Sequence, residues 1–118
     1  MEKKRYRKAI FVVVYRKESN NLLYVLLKRK LHWKGWEFPK GGVEKGESIK
    51  KCVAREVKEE TGNKAFSIKK YNKSGKYKYH KKLKDRPRSI GQSYVLYSAE
   101  VKNKKLKFDK KEHSSAKW

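Results

Sequence analysis

The chain has one cysteine, two prolines and no long apolar run, and each shortage closes off a class of protein. A single thiol cannot form an internal disulfide, so the small secreted scaffolds stapled by bridges are excluded and a reducing compartment fits. Two prolines leave no room for a proline-rich linker, and neither an internal repeat nor a low-complexity tract is present. The longest apolar run, AIFVVVY at 9–15, falls well short of the roughly 20 residues that span a bilayer as a helix. The N-terminus MEKKRYRK enters that run directly, without the layout of a signal peptide. These absences predict a cytoplasmic protein with no membrane partner.

What the chain does have is base. Lysine and arginine number 35 against 12 acids, a formal charge of +23, and 36% of residues are hydrophobic. Eight tyrosines, four phenylalanines and three tryptophans argue for a packed core and against disorder. The length fits one domain, 1–118. The charge is unevenly spread: residues 37–60 hold six acids and six bases, so all of the +23 resides elsewhere. A neutral island in a basic shell suits a metal-dependent site for polyanions, because the surrounding field steers and concentrates them.

Along the chain, KAIFVVVYR (8–16) and LLYVLLKR (22–29) predict strands about a turn at ESNN. LHWKGWEFPKGG is strand or extended loop, since Pro39 disfavours helix before it. A helix is expected from Ser48, a potential N-cap, to Thr61, with Gly62 as its stop. Further strands are expected at 66–72, 76–83 and 91–101, with a short one near KLKF. One helix among many strands predicts an α+β fold with a mixed sheet.

The helix carries an anomaly. At about 100° per residue, Glu59 and Glu60 lie within about 60° of Glu56, on the arc that also holds Ile49, Cys52 and Val53. Carboxylates on an apolar face repel one another and are costly to desolvate. Either they sit at the margin of the stripe, solvated or paired with lysines, or they form a cluster for a hard divalent cation.

The residues upstream decide between these. From Gly41 the chain reads Gly41, five residues, Glu47, seven residues, Arg55-Glu56-Val57, one residue, Glu59-Glu60, one residue, Gly62. This resembles the Nudix box, the loop-helix-loop signature of the Nudix hydrolases, over residues 41–62 or 63. Asn63 departs from it, standing where the family usually has an aliphatic residue. The resemblance implies that Glu56, Glu59 and Glu60 bind Mg²⁺ or Mn²⁺, joined by the Gly41 carbonyl, and that Glu47 and Arg55 form an ion pair bracing loop against helix. It implies a pyrophosphohydrolase in which metal-activated water attacks phosphorus of a nucleoside diphosphate derivative. Glu112 is the candidate general base outside the box.

Two further patches, GWEFPKGGVEKGES and GQSYVLYSAEV, resemble the branch that holds diadenosine tetraphosphate hydrolases and RNA 5′-pyrophosphohydrolases. KYKYHKKL (76–83) is similar to the basic, tyrosine-bearing segment that both place beside substrate. Strand alternation puts Tyr77 and Tyr79 on one face and Lys76, Lys78 and His80 on the other. Ten bases against Asp85 alone in 69–88 favour a polyphosphate or nucleic-acid contact. The expected substrate contacts are Lys40, Tyr77, Lys78, Tyr79, Lys81, Lys82 and His113. The leading substrate is a dinucleoside polyphosphate such as diadenosine tetraphosphate, the alternative an RNA 5′ end, and a third possibility is a nucleic-acid-binding module without turnover. His32, His80, His113 and Cys52 show no zinc spacing. Trp33, Trp36 and Phe38 fit either core and rim or a base contact. Family members usually continue past the residue matching Trp118 into a last strand and a second helix. The expected fold therefore lacks the usual C-terminal helix, with the sheet face it would cover closed by a partner or by a second copy in a homodimer.

Overall fold

The apolar run at 9–15 forms the centre of a long strand, β1 (Arg5–Glu18), and the rest of the fold is assembled around it. The structure is a computed structural model that describes residues 5–31, 34–79 and 83–118. β1 is followed by β2 (Asn21–Tyr24), β3 (Leu26–Arg29), β4 (Gly35–Glu37), β5 (Lys40–Gly42), α1 (Ile49–Thr61), β6 (Phe66–Lys78), β7 (Ser89–Glu100) and β8 (His113–Lys117). The architecture is α+β, with two sheets where one was expected. The larger runs β2-β1-β7-β6, with β5 also on β1, and the smaller runs β4-β3-β8. β1 and β7 pair in parallel and the other ladders are antiparallel, so the larger sheet is mixed.

Alternation along β1 sends Ile10, Val12 and Val14 to one face, where they meet Cys52, Val53 and Val57 of α1, Val25, Leu27, Tyr97, Ala99 and Val101. Most of these side chains are wholly buried, and at ~1.5–3 kcal/mol for each large one this layer is the main cohesion between helix and sheet. The helix ends as its sequence demands. Ser48 Oγ accepts the Lys51 N–H at 3.2 Å. Gly62 takes the left-handed conformation (φ 76°) that returns its N–H to the Lys58 carbonyl, a position where any side chain would be strained.

Four expectations are corrected. The strand at 22–29 is two strands in different sheets: Val25 N–H still bonds to the Val14 carbonyl, and the chain then crosses to pair with β4 and β8. The strand at 66–72 and the first residues of the one at 76–83 are one strand, β6, which ends at Lys78 and is kept continuous by register shifts at Phe66/Lys69 and Lys70/Ser74, residues 80–82 lying outside the described ones. KLKF is not a strand. Its backbone is occupied in finishing the helix, with Lys107 N–H donating to the Thr61 carbonyl and the Lys105 carbonyl accepting from Asn63. That bond also explains Asn63, whose buried amide ties the helix end to this segment where an aliphatic residue would only pack. Finally, β8 was not expected from HSSAK at all.

Candidate active site

The box helix delivers its three glutamates to different environments. Glu60 and Glu56 are buried, 1% and 6% exposed, whereas the Glu59 side chain is 47% exposed. The wheel is thus right for two and places the third at the solvent margin. A side chain at Gly41 would collide with the Glu56 carboxyl, so glycine here is what lets β5 lie directly over that group. Burial pushes Glu56 up to about 8; the Arg55 charge opposes the shift and Glu59 and Glu60 add to it.

Arg55 organises the loop before the helix. Its guanidinium donates to Glu47 through Nε at 2.7 Å and Nη2 at 2.9 Å, to Glu56 at 2.7 Å, to Glu59 at 3.3 Å and to the Gly42 carbonyl at 2.9 Å. The paired bonds to Glu47 use the guanidinium fork in the way a lysine cannot. They hold Glu47 ionised, with its pKa lowered to about 2 by that hydrogen bond. This is the loop-to-helix brace.

Cys52 lies beneath it, its thiol 3.6 Å from the Gly42 carbonyl. Burial first, and then the charges of Glu47 and Glu56, push it up to about 12. Since the thiolate is the reactive form, maleimide labelling at pH 8 should be at least about a hundredfold slower in the folded protein than in urea. Equal rates would show that the helix does not pack on β5 as described.

Behind Glu60 stands His113, with no exposed surface. Its Nε2 is 2.9 Å from Glu37 and its Nδ1 is 2.9 Å from Glu60. The Nδ1 contact is a charge contact without hydrogen-bond alignment. Glu37 is held ionised despite its burial by His113, Lys40 and Arg29. Burial raises Glu60, and against its own burial His113 is pushed up to about 9 by Glu37 and Glu60. With one neighbour firmly anionic, the proton belongs on the imidazole. His113, expected at the substrate, instead pins β8, β4 and α1 together from within. Glu112, one residue earlier, does reach the site: its carboxylate is 3.7 Å from Arg29, and its backbone carbonyl receives the Lys30 N–H.

Between these groups is a small polar cavity of about 60 Å³. It is lined by the acids Glu56, Glu59, Asp109 and Glu112 with Gly41, and by the bases Arg7, Arg29, Lys40 and Arg86. Arg7 and Arg86 both donate to a single neutral acceptor, Gln92 Oε1, at 3.1 and 3.2 Å, and Tyr79 donates to the same oxygen at 3.3 Å. Among the described residues, Arg86 has a loose ion pair, 3.9 Å from Asp85. Two adjacent guanidiniums sharing an uncharged partner form a ready anion site. The carboxylates fit a divalent cation on two grounds: their donors are hard oxygens, and Glu56, raised to about 8 by burial even with Arg55 beside it, would be favoured as a carboxylate by a further cation.

Of the expected substrate contacts, Lys40 lines the cavity, with burial lowering its pKa to about 8 against the pull of Glu37. Tyr77 and Tyr79 share a face with rings at 72°, 6.1 Å apart. Tyr77 OH is buried without a hydrogen-bond partner. Lys78 is exposed, on the opposite face as alternation requires. Lys81 and Lys82 lie outside the described residues, as do His32, Trp33 and His80. Trp36 and Phe38 are each 43% exposed, on the rim. Sequence reasoning missed Arg7, Arg29, Arg86, Gln92, Glu37 and Asp109. One signal was available: only seven of the 35 basic residues are arginine, and four of those seven serve this site.

The chain matches the family model of the NUDIX domain over residues 5–118. It is 38% identical over 69 residues to an RNA pyrophosphohydrolase of a Nitratiruptor species, covering 58% of this chain and 44% of that protein. It is 33% identical over 98 residues to an RNA pyrophosphohydrolase of Ruthia magnifica subsp. Calyptogena magnifica, covering 78% and 52%. The chain thus spans about half the length of these relatives. A solved C. elegans Ap4A hydrolase in a binary complex superposes with TM-score 0.69 at 26% identity, over 95% of this chain and 78% of that one. With the box geometry and a family match along nearly all of its length, the chain belongs to the NUDIX family.

Proposed function

We propose that the chain is a divalent-metal-dependent pyrophosphohydrolase that removes pyrophosphate from triphosphorylated RNA 5′ ends. The observation that carries this is the cavity itself, which Glu56, Glu59 and Glu112 line together with Arg7, Arg29, Lys40 and Arg86. Carboxylates alone would hold a cation and cations alone a phosphate; the two together fit a metal-bridged polyphosphate. Glu56, Glu59 and Glu60 with Gly41 are the groups that would hold Mg²⁺ or Mn²⁺, which when bound supplies charge neutralisation and a lowered pKa for water.

The chain's own residues do the rest. Arg7 and Arg86 orient phosphate oxygens, held in place by Gln92 and Tyr79. Lys40, fixed 3.4 Å from Glu37, adds a point charge. Arg55 and Glu47 keep the carboxylates in place. Glu112, 3.7 Å from Arg29 at the edge of the cavity, is the proposed base for the proton of the attacking water. Overall, water adds across a phosphoanhydride, one P–O bond forms and the bridging one breaks. The products are a 5′-monophosphate and pyrophosphate.

RNA leads over a dinucleoside polyphosphate, the leading substrate from sequence, because of the charge of +23 and the names of the curated relatives. The second reading keeps support from the Tyr77–Tyr79 pair, suited to a base, and from the likeness to an Ap4A hydrolase. Incubation with triphosphorylated RNA, diadenosine tetraphosphate, ADP-ribose and nucleotide sugars, each with Mg²⁺, tests both. Pyrophosphate release from RNA with the highest kcat/KM is expected. Cleavage confined to ADP-ribose or a nucleotide sugar would refute both, and no turnover of any substrate would favour the binding module.

A further inference from the structure

The bases that line the cavity differ in what offsets their charge. Arg29 meets the carboxylates of Glu37 at 3.4 Å and Glu112 at 3.7 Å, and Lys40 meets Glu37 at 3.4 Å. Arg7 and Arg86 are held otherwise. Each donates from Nη1 to one amide oxygen, Gln92 Oε1. Among the described residues Arg7 has no ion pair, and the carboxylate near Arg86, Asp85, is half exposed and 3.9 Å away. Burial and then the Arg86 charge lower the pKa of Arg7, as expected of two cations drawn together out of water.

The fold places the amide between them. Gln92 and Arg7 are partners in the parallel ladder of β1 and β7, so their side chains leave the sheet on one face. Gln92 is 1% exposed, and its oxygen also accepts from the Tyr79 hydroxyl at 3.3 Å. Arg86 closes the group, donating to that hydroxyl at 3.1 Å and lying 5.7 Å from the centre of the ring. With three donors, the amide oxygen is fully used as an acceptor. A carboxylate would serve the same donors with shorter and stronger bonds. Glutamine is therefore not the choice that stability alone would make; what a carboxylate would remove is the charge of the pair.

We infer that Gln92 is a specificity-determining residue: it fixes Arg7 and Arg86 side by side without neutralising them, so that the pair selects a free terminal phosphate over one bridged on both sides. The inference rests on the reading of the cavity as a polyphosphate site above. A terminal phosphoryl group carries a charge of about −1.5 to −2 at pH 7, whereas a bridged phosphate carries a single charge. Two guanidiniums balance the first. The cavity, at about 60 Å³, has the room of a few waters, enough for one phosphoryl group. An RNA 5′ end, whose last phosphate is free, thus fits ahead of a dinucleoside polyphosphate, in which every phosphate is bridged.

The test is Gln92→Glu, which keeps the shape and the acceptor. Without ligand, its Tm is expected to rise by about 2 °C or more, because the bonds to both guanidiniums become charge-assisted. Calorimetric titration with inorganic tripolyphosphate, without metal so that nothing turns over, should show at least about a thirtyfold loss of affinity, the scale of a like charge set against an anion. With Mg²⁺ present, KM for a triphosphorylated dinucleotide should rise by a similar factor while kcat stays within about threefold. KM for diadenosine tetraphosphate should rise only about fivefold, since a bridged phosphate meets the new charge with half as much of its own. Arg86→Gln, which removes one guanidinium instead, should lower the ratio of kcat/KM between these two substrates by at least about fivefold. Stability and affinity moving in opposite directions is what packing cannot produce. A Gln92→Glu protein that loses Tm and affinity together would overturn the inference, as would unchanged tripolyphosphate affinity or equal losses for the two substrates. The two readings fail separately. Tripolyphosphate binding that weakens as stated, without hydrolysis of either substrate, would keep the role of Gln92 and remove the hydrolase. Hydrolysis of triphosphorylated RNA that Gln92→Glu leaves at the parent KM would do the reverse.

Discussion

Glu56→Gln is expected to lower turnover of triphosphorylated RNA by about a thousandfold or more, the scale of losing a fixed charge in a closed site, and to remove the rise in Tm that Mg²⁺ gives the parent protein. Glutamine has the same shape, fits under Gly41 and still accepts from Arg55, so the metal-free fold should be kept. Charge is what changes. A ligand that binds only the folded state raises stability by about 2.7 kcal/mol at a hundred times its Kd, and that increment should vanish with the carboxylate. The pH dependence has a definite sign. With Glu56 raised to about 8 by burial, a cation must displace a proton below that pH, so Mg²⁺ affinity should fall by up to about tenfold per unit as pH drops below 8. The glutamine variant should lack that slope. Calorimetric titration of both proteins from pH 6 to 9 decides the matter, and a full Mg²⁺-induced Tm shift in Glu56→Gln would remove Glu56 from the metal site.

His113→Ala is expected to cost about 3 to 5 kcal/mol of stability, because it strands buried carboxylates that faced an imidazolium. The side chain joins Glu60 of α1 to Glu37 at the end of β4 and is wholly buried. Its pKa is raised from 6.5 to about 9, Glu37 and Glu60 together outweighing burial. A raised histidine pKa stabilises fully below 6.5, and the contribution is lost as pH climbs through 9. Urea midpoints should therefore decline between pH 6.5 and 9 in the parent, and His113→Gln should show less of that decline. If the alanine variant keeps the parent's midpoint and pH slope, the pin is not structural.

What could be read in advance was local. The helix announced itself through Ser48, Gly62 and the apolar spacing of Cys52, Val53 and Val57, and the box through glutamates on the wrong face. These signals lie within one segment, where 3.6-residue periodicity and caps act directly. β8 was hidden because HSSAK has little strand propensity; pairing with β3 and the burial of His113 make it a strand. The two sheets were hidden because LLYVLL, the first six residues of this segment, is uniformly apolar and contains nothing that marks Val25 as a crossing point. The basic lining of the cavity was hardest. Arg7, Arg29, Arg86 and Gln92 come from four separate regions, and a background rich in lysine masks their role unless arginine is counted separately.

The parallel ladder between β1 and β7 joins Arg5 to Ser89 and Tyr15 to Glu100, which sets an order on folding. As the chain is made, its most apolar strand emerges well before its partner on that edge, which begins only at residue 89. Ladders that span so much sequence form slowly, and an unpaired apolar strand is a template for aggregation while it waits. Lys8, Arg16 and Lys17 flank the run, where charges act as gatekeepers against wrong pairing. The lysine excess, whatever it does for the folded protein, thus also holds unfinished chains apart.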